Sequence, residues 1–124
     1  MSVNIWKIIN YLNNITDITG IVWNRIFWGV PDTEPNETYI TAILITERTP
    51  TGIEIVNRVE FRIIAWDAWV SFSTLTDLDN KLFNALRSYR DDGVYKVVIN
   101  WLVQLYDDKN KKILLRDYQF YKVN

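Results

Sequence analysis

The chain contains no cysteine and no histidine in 124 residues. Without cysteine there is no disulfide framework, no thiolate zinc site and no cysteine nucleophile. Without histidine the commonest general base and the commonest transition-metal ligand are both gone. Glycine is scarce, at four widely spread residues, so no glycine-rich phosphate loop can form. A charge excess is missing too: fourteen basic residues against fifteen acidic ones leave a net charge of −1. A dedicated nucleic-acid binder carries a basic surplus, because phosphate neutralisation supplies most of its affinity. No apolar run approaches the roughly 20 residues needed to cross a bilayer. The opening Met1-Ser2-Val3-Asn4 lacks the basic stretch of an export signal, and Asn4, Lys7 and Asn10 interrupt the apolar residues around it. The expectation is a soluble, intracellular protein that is not an enzyme and uses no cofactor and no metal.

What the chain does have is apolar surface. Hydrophobic residues make up 48% and aromatics 15%, enough for one packed core and too much for a disordered chain. A length of 124 residues fits a single domain spanning 1–124, since two halves would each be too small to bury a core.

The first element runs from Val3 to Asn13, where Ile5, Ile8, Ile9 and Leu12 recur at helical spacing and Ser2 is placed to cap the start. Ile15 to Gly20 reads as a turn or frayed extension. Ile21 to Trp28, β-branched and aromatic, reads as a strand. The segment from Gly29 to Thr38, with Pro31, Asp32, Pro35 and Asn36, is a loop. Thr38 to Glu47 is apolar on both alternations, which predicts a strand buried on both faces. After a turn at Thr49-Pro50-Thr51-Gly52 comes the cleanest alternation, Ile53 to Trp66. There Val59, Phe61, Ile63 and Ala65 point one way, and Arg58, Glu60, Arg62 and Ile64 the other. Leu75, Leu78, Leu82, Leu86 and Tyr89 form one helical stripe, with Thr74 and Asp77 resembling a capping box and Asp77 and Asp79 suited to the positive helix start. Val94 to Tyr106 and Ile113 to Val123 are long extended runs around a hairpin loop, and Tyr95, Val97, Ile99, Trp101, Val103 and Leu105 are expected on one face. The fold class is therefore α+β: a mostly antiparallel sheet with two helices packed on it, in the order α-β-β-β-α-β-β.

Candidate sites are few. Asp91-Asp92 and Asp107-Asp108 fall in turns, where solvation explains them without a ligand. The basic cluster Lys109-Asn110-Lys111-Lys112 reads as a solvated hairpin tip. Six tryptophans (Trp6, Trp23, Trp28, Trp66, Trp69, Trp101) are expected mostly in the core or against the sheet. Trp66 and Trp69, flanking Asp67-Ala68, suit either core or subunit interface. Arg58, Glu60 and Arg62 set opposite signs along one extended face, which suits register-setting contacts between identical subunits; the plainer alternative is a wet strand face. The expected subunit interface is thus Arg58, Glu60, Arg62, Trp66 and Trp69. A different class, a small ligand-binding α+β domain, would gather Asp67, Asp117 and Glu60 beside tryptophans in one cavity.

Three stretches carry a family resemblance. Asn24 to Glu47, with the run Asn24-Arg25-Ile26-Phe27-Trp28-Gly29-Val30-Pro31, is similar to the early part of the tail-terminator (tail-completion) proteins of long-tailed bacteriophages. In those proteins a first helix leads to an arginine-containing strand, a proline-bearing loop and a strand opening with an aromatic residue. Arg58 to Trp66 followed by Leu75 to Tyr89 resembles the family's long strand feeding its second helix, and Leu114 to Phe120 resembles its closing strand. The resemblance implies a virion structural protein without catalytic residues. Such a protein forms a homo-oligomeric ring, commonly a hexamer, that caps the tail tube and meets the neck. DNA would pass through without specific binding, and no membrane would be involved. A head-closure or connector subunit of the neck is the nearest alternative.

Overall fold

A computed structural model describes residues 2–50, 52–66, 70–106 and 110–123. Three helices and five strands follow in the order α1 (Ile5–Asn13), α2 (Thr16–Val22), β1 (Ile26–Trp28), β2 (Tyr39–Arg48), β3 (Glu54–Trp66), α3 (Phe72–Leu86), β4 (Val94–Tyr106) and β5 (Lys111–Val123). The sheet order is β1-β2-β3-β5-β4, with β3 at its centre. The helices cover the face that carries Val59, Phe61, Ile63 and Ala65, and their apolar side chains join those residues in one core. None of the helices among the described residues is long and apolar enough to cross a membrane.

Two features of the predicted fold class are corrected. The sheet is mixed: β1 pairs parallel with β2, placing Ile26 beside Ile40 and Trp28 beside Ala42, while every other pairing is antiparallel. The loop from Gly29 to Thr38 carries the chain back along β1, so β2 starts again from the same end. The second correction is a third helix. Ile15 to Val22 is rich in β-branched residues, which favours an extended reading. Ile18 and Val22, four residues apart, are both fully buried, and this tertiary contact overrides local propensity to make α2. Trp23, at φ 53°, turns the chain out of the helix, and the predicted strand shrinks to the three residues of β1.

The caps also differ in detail. Asn4, not Ser2, caps α1: its side chain accepts from the Lys7 amide, while the Ser2 hydroxyl donates to Glu47. Ser71, three residues before Thr74, caps α3 by accepting from the Thr74 amide at 3.3 Å. With the start moved, neither Asp77 nor Asp79 lies in the first turn. The stripe Leu75, Leu78, Leu82 and Leu86 is buried as predicted, and Tyr89 closes over the core just beyond the helix.

Irregularities in the edge-side strands decide which residues share a face. In β2 the register shifts between Leu44 and Thr46, so the double burial expected along the whole strand holds only for Tyr39 to Ala42. In β4 it shifts twice, between Val94 and Lys96 and between Ile99 and Leu102. Val97 and Ile99 stand opposite Phe120 and Tyr118 on the helix side, whereas Val103 and Leu105 stand opposite Leu115 and Ile113 on the other. The single apolar face predicted for β4 is split because each extra residue reverses the alternation.

Asp92 was expected to be a solvated turn residue, yet it ties three segments together. It accepts from the Asn4 amide at 3.0 Å and pairs with Lys122 at 3.1 Å and Lys7 at 3.6 Å. Burial raises its carboxyl, but the Asn4 amide, Lys122 and Lys7 outweigh that and hold it below the ordinary 3.8. A lowered folded value means that the stabilisation is complete above 3.8 and is lost as pH falls through the folded value. Asp92→Asn should therefore cost about 1 kcal/mol at neutral pH, as partly shielded ion pairs do. The two proteins should converge in urea melts as the pH drops; a constant gap would contradict the assignment.

Candidate functional site

The face of the sheet away from the helices brings together most of the charges singled out in the sequence. Glu60 on β3 lies directly opposite Asp117 on β5, an unfavourable like-charge pair by itself. Two arginines of β3 resolve it. Arg58 donates to Asp117 through Nε at 2.8 Å and again through Nη2, and the Arg62 Nε donates to Glu60. The result is a cluster of four charges with no net charge, two arginines and two carboxylates, set across the centre of an extended surface. Arg58 and Arg62 remain substantially exposed, while Glu60 is nearly covered.

Trp66 stands at the end of the same face and is half-buried. Its indole N–H donates to the Pro35 carbonyl at 3.3 Å, and the Lys111 ammonium sits 5.2 Å above its ring. Lys111 also pairs with Glu34, and Lys112 donates to the Val70 carbonyl at 2.8 Å. These two lysines belong to β5 and turn onto the protein, which corrects the solvated-tip reading of the basic cluster: the strand begins two residues earlier than its apolar residues indicate. Trp69, Asp67, Asp107, Asp108 and Lys109 lie outside the described residues.

The ligand-pocket arrangement has little to build on. Glu60 and Asp117 are held by arginines, and neither lines the cleft beside Trp66, which is formed by Ile21, Arg25, Glu37 and Thr38 among others. Arg25 organises that cleft by donating to the carbonyls of Thr38 and Ile21 and pairing with Glu37 at 2.9 Å. Among the described residues no three acidic side chains gather as metal ligands would.

Sequence reasoning missed two features. One is Asp79, buried in α3 at 2% exposure and 2.9 Å from Arg116 of β5. Burial raises its carboxyl above the ordinary range and Arg116 pulls it back only in part. Its position in the apolar stripe, one residue after Leu78, was the available signal. The other is the tryptophans, expected mostly inside. Trp101 is 86% exposed, Trp23 72%, Trp6 55% and Trp28 49%. Trp6 of α1 and Trp28 of β1 meet edge to face at 5.6 Å, at the rim of a cleft of about 590 Å³. Trp101 stands at the second β4 irregularity, on the opposite edge of the sheet.

The architecture so defined is an α+β domain whose five-stranded mixed sheet has helices on one face, a neutralised charge cluster on the other and exposed tryptophans at both edges. A solved structure shares the fold: a chain from the virion of a native gene transfer agent (GTA) particle matches with a TM-score of 0.74. The likeness spans 93% of this chain and 90% of that one at 15% sequence identity, so it is a likeness of fold. No protein-family model and no curated protein matches the sequence.

Proposed function

We propose that the chain is a structural subunit of a virion, acting through its surfaces and not as an enzyme. In the finer reading it is a ring-forming subunit, hexameric as is common in the tail-terminator family it resembles, that caps the phage tail tube and joins it to the neck. Its partners are then further copies of itself, the tail tube protein and the neck or connector proteins. It is made in the host cytoplasm and ends in the tail or neck, with DNA passing through without specific binding. The observation that carries this reading is the fold likeness to a virion chain over nearly the full length of both proteins. The net charge of −1 supports it, because a DNA passage needs weak contact rather than a basic surface. The neutralised cluster of Arg58, Glu60, Arg62 and Asp117, with Trp66 at the end of the same face, would supply an ordered polar surface that sets the register of a contact. Trp69, also expected at this interface from the sequence, lies outside the described residues.

Electron cryomicroscopy of particles made in cells that express the gene tests this directly. The expected density is a closed ring of this chain at the head-proximal end of the tail tube. Particles that lack the chain would overturn the virion reading. A ring placed in the neck, away from the tube, would replace the tail cap with a head-closure role.

A further inference from the structure

We propose that copies of the chain join head to tail, the β4 edge of one seating on the aromatic cleft beside Trp6 and Trp28 of the next. This deepens the ring-subunit reading and rests on it. Beyond Lys96 the β4 edge lacks the charges and prolines that ordinarily protect an edge strand, and the two irregularities are the protection it carries. Its ten residues from Val97 to Tyr106 contain no charge, and no strand among the described residues pairs with its outer side. An uncharged edge of this length, carrying Trp101 almost fully exposed, invites pairing with any similar strand unless a partner covers it.

The opposite edge offers a matching surface. β1 is only three residues long, and beside it Trp6, Trp28, Val30 and Pro31 form the apolar walls of the cleft. Its polar lining is mostly uncharged, with Asn10 and Asn24 facing the same space and Asp32 as the single charged member. Uncharged meets uncharged: Asn100 and Gln104 of β4 can bond with asparagine amides, and Trp101 can fill the aromatic cleft. A nucleic acid or a strongly charged protein would find little complementary charge, a single Asp32 in the cleft and a single Lys96 near the start of β4. The occupant that fits both surfaces is a second copy. Because the two patches differ and lie on opposite edges of one sheet, the contact is heterologous, which gives a ring where the rotation between copies closes.

Cross-linking tests the contact cleanly, since the chain has no cysteine of its own. The full-length Asn100→Cys/Val30→Cys protein is treated with a short bismaleimide, both as purified chain at high concentration and within assembled particles. A ladder of cross-linked oligomers in the double variant, and in neither single variant, is expected. Dimers from one single variant would show a symmetric contact and overturn the proposal, as would cross-links to other particle proteins only, or no cross-links in either preparation. In parallel, Trp101→Ala should leave the melting temperature of the isolated chain unchanged and lower its incorporation into particles about tenfold or more, the loss typical of a central interface tryptophan. Incorporation at the wild-type level would overturn the proposal. A ladder from purified chain, with particles that contain no copy of the chain, would sink the virion reading and leave this contact standing, whereas particles that contain the chain without the ladder would overturn the contact.

Discussion

Asp79→Leu will destabilise the fold by about 3 kcal/mol, because it strips the counter-charge from a largely covered arginine. Arg116 reaches the helix side of the sheet between β3 and β4, and its side chain is 14% exposed. Its guanidinium lies 5.3 Å from the Phe83 ring and 2.9 Å from the Asp79 carboxylate, which supplies its charge compensation in α3. Removing that carboxylate leaves the cation with little water and without that anion. The pair itself is a different matter. Desolvating both ions costs about as much as their attraction returns, so the double variant Asp79→Leu/Arg116→Met should regain most of the loss. Urea denaturation of the two single variants and the double variant gives the coupling; additive losses would show that the ions do not act as a pair.

The same pair leaves a signature in pH. Burial raises the Asp79 carboxyl above its ordinary 3.8, so between that value and its folded one the native state holds more protons than the unfolded chain. Its contribution to stability therefore falls as pH rises through that window and is flat above it. This slope is opposite to that of Asp92, whose folded value is lowered. Asp79→Asn should abolish the Asp79 slope and leave the Asp92 one.

Phe61→Ala will cost about 3–5 kcal/mol, the range for emptying an aromatic site in a close-packed core. Phe61 sits on the central strand, 2% exposed, with Ala42 beside it on β2 and Arg116 beside it on β5. Its ring meets Tyr118 edge to face at 5.2 Å. Alanine at 42 has no side chain to swing into the void, and β3 is pinned by a strand on each side, so the site cannot collapse. Against a total stability of about 5–15 kcal/mol for a domain of this kind, the variant should approach unfolding at room temperature. Chemical denaturation measures it, and a loss below about 1 kcal/mol would mean that the core repacks around the gap.

The contrast between Phe61 and Trp101 separates what a sequence encodes locally from what it does not. Both lie in strands and both are large and apolar. Phe61 belongs to an unbroken alternation from Arg58 to Ile63, so its burial is legible from its neighbours. Trp101 sits in an equally apolar run, yet it is exposed, because the β4 irregularity between Ile99 and Leu102 breaks the alternation. Nothing in the run itself marks the extra residue. Among the candidate site residues, Arg58, Glu60 and Arg62 were recognisable as one charged face, while their internal pairing through Asp117 depends on the β3–β5 register.

By itself the sequence determined the α+β class, the five strands and their order, the leucine stripe of α3 and the core face of β3, because each is written in the spacing of adjacent residues. It also determined what chemistry is missing, through the lack of cysteine and histidine. Tertiary structure alone decided that Thr16 to Val22 coils into α2, that β1 lies parallel to β2, and that Trp6, Trp23, Trp28 and Trp101 face outward. The first two outcomes turn on contacts between residues far apart in the chain, where burial against a distant partner outweighs local propensity.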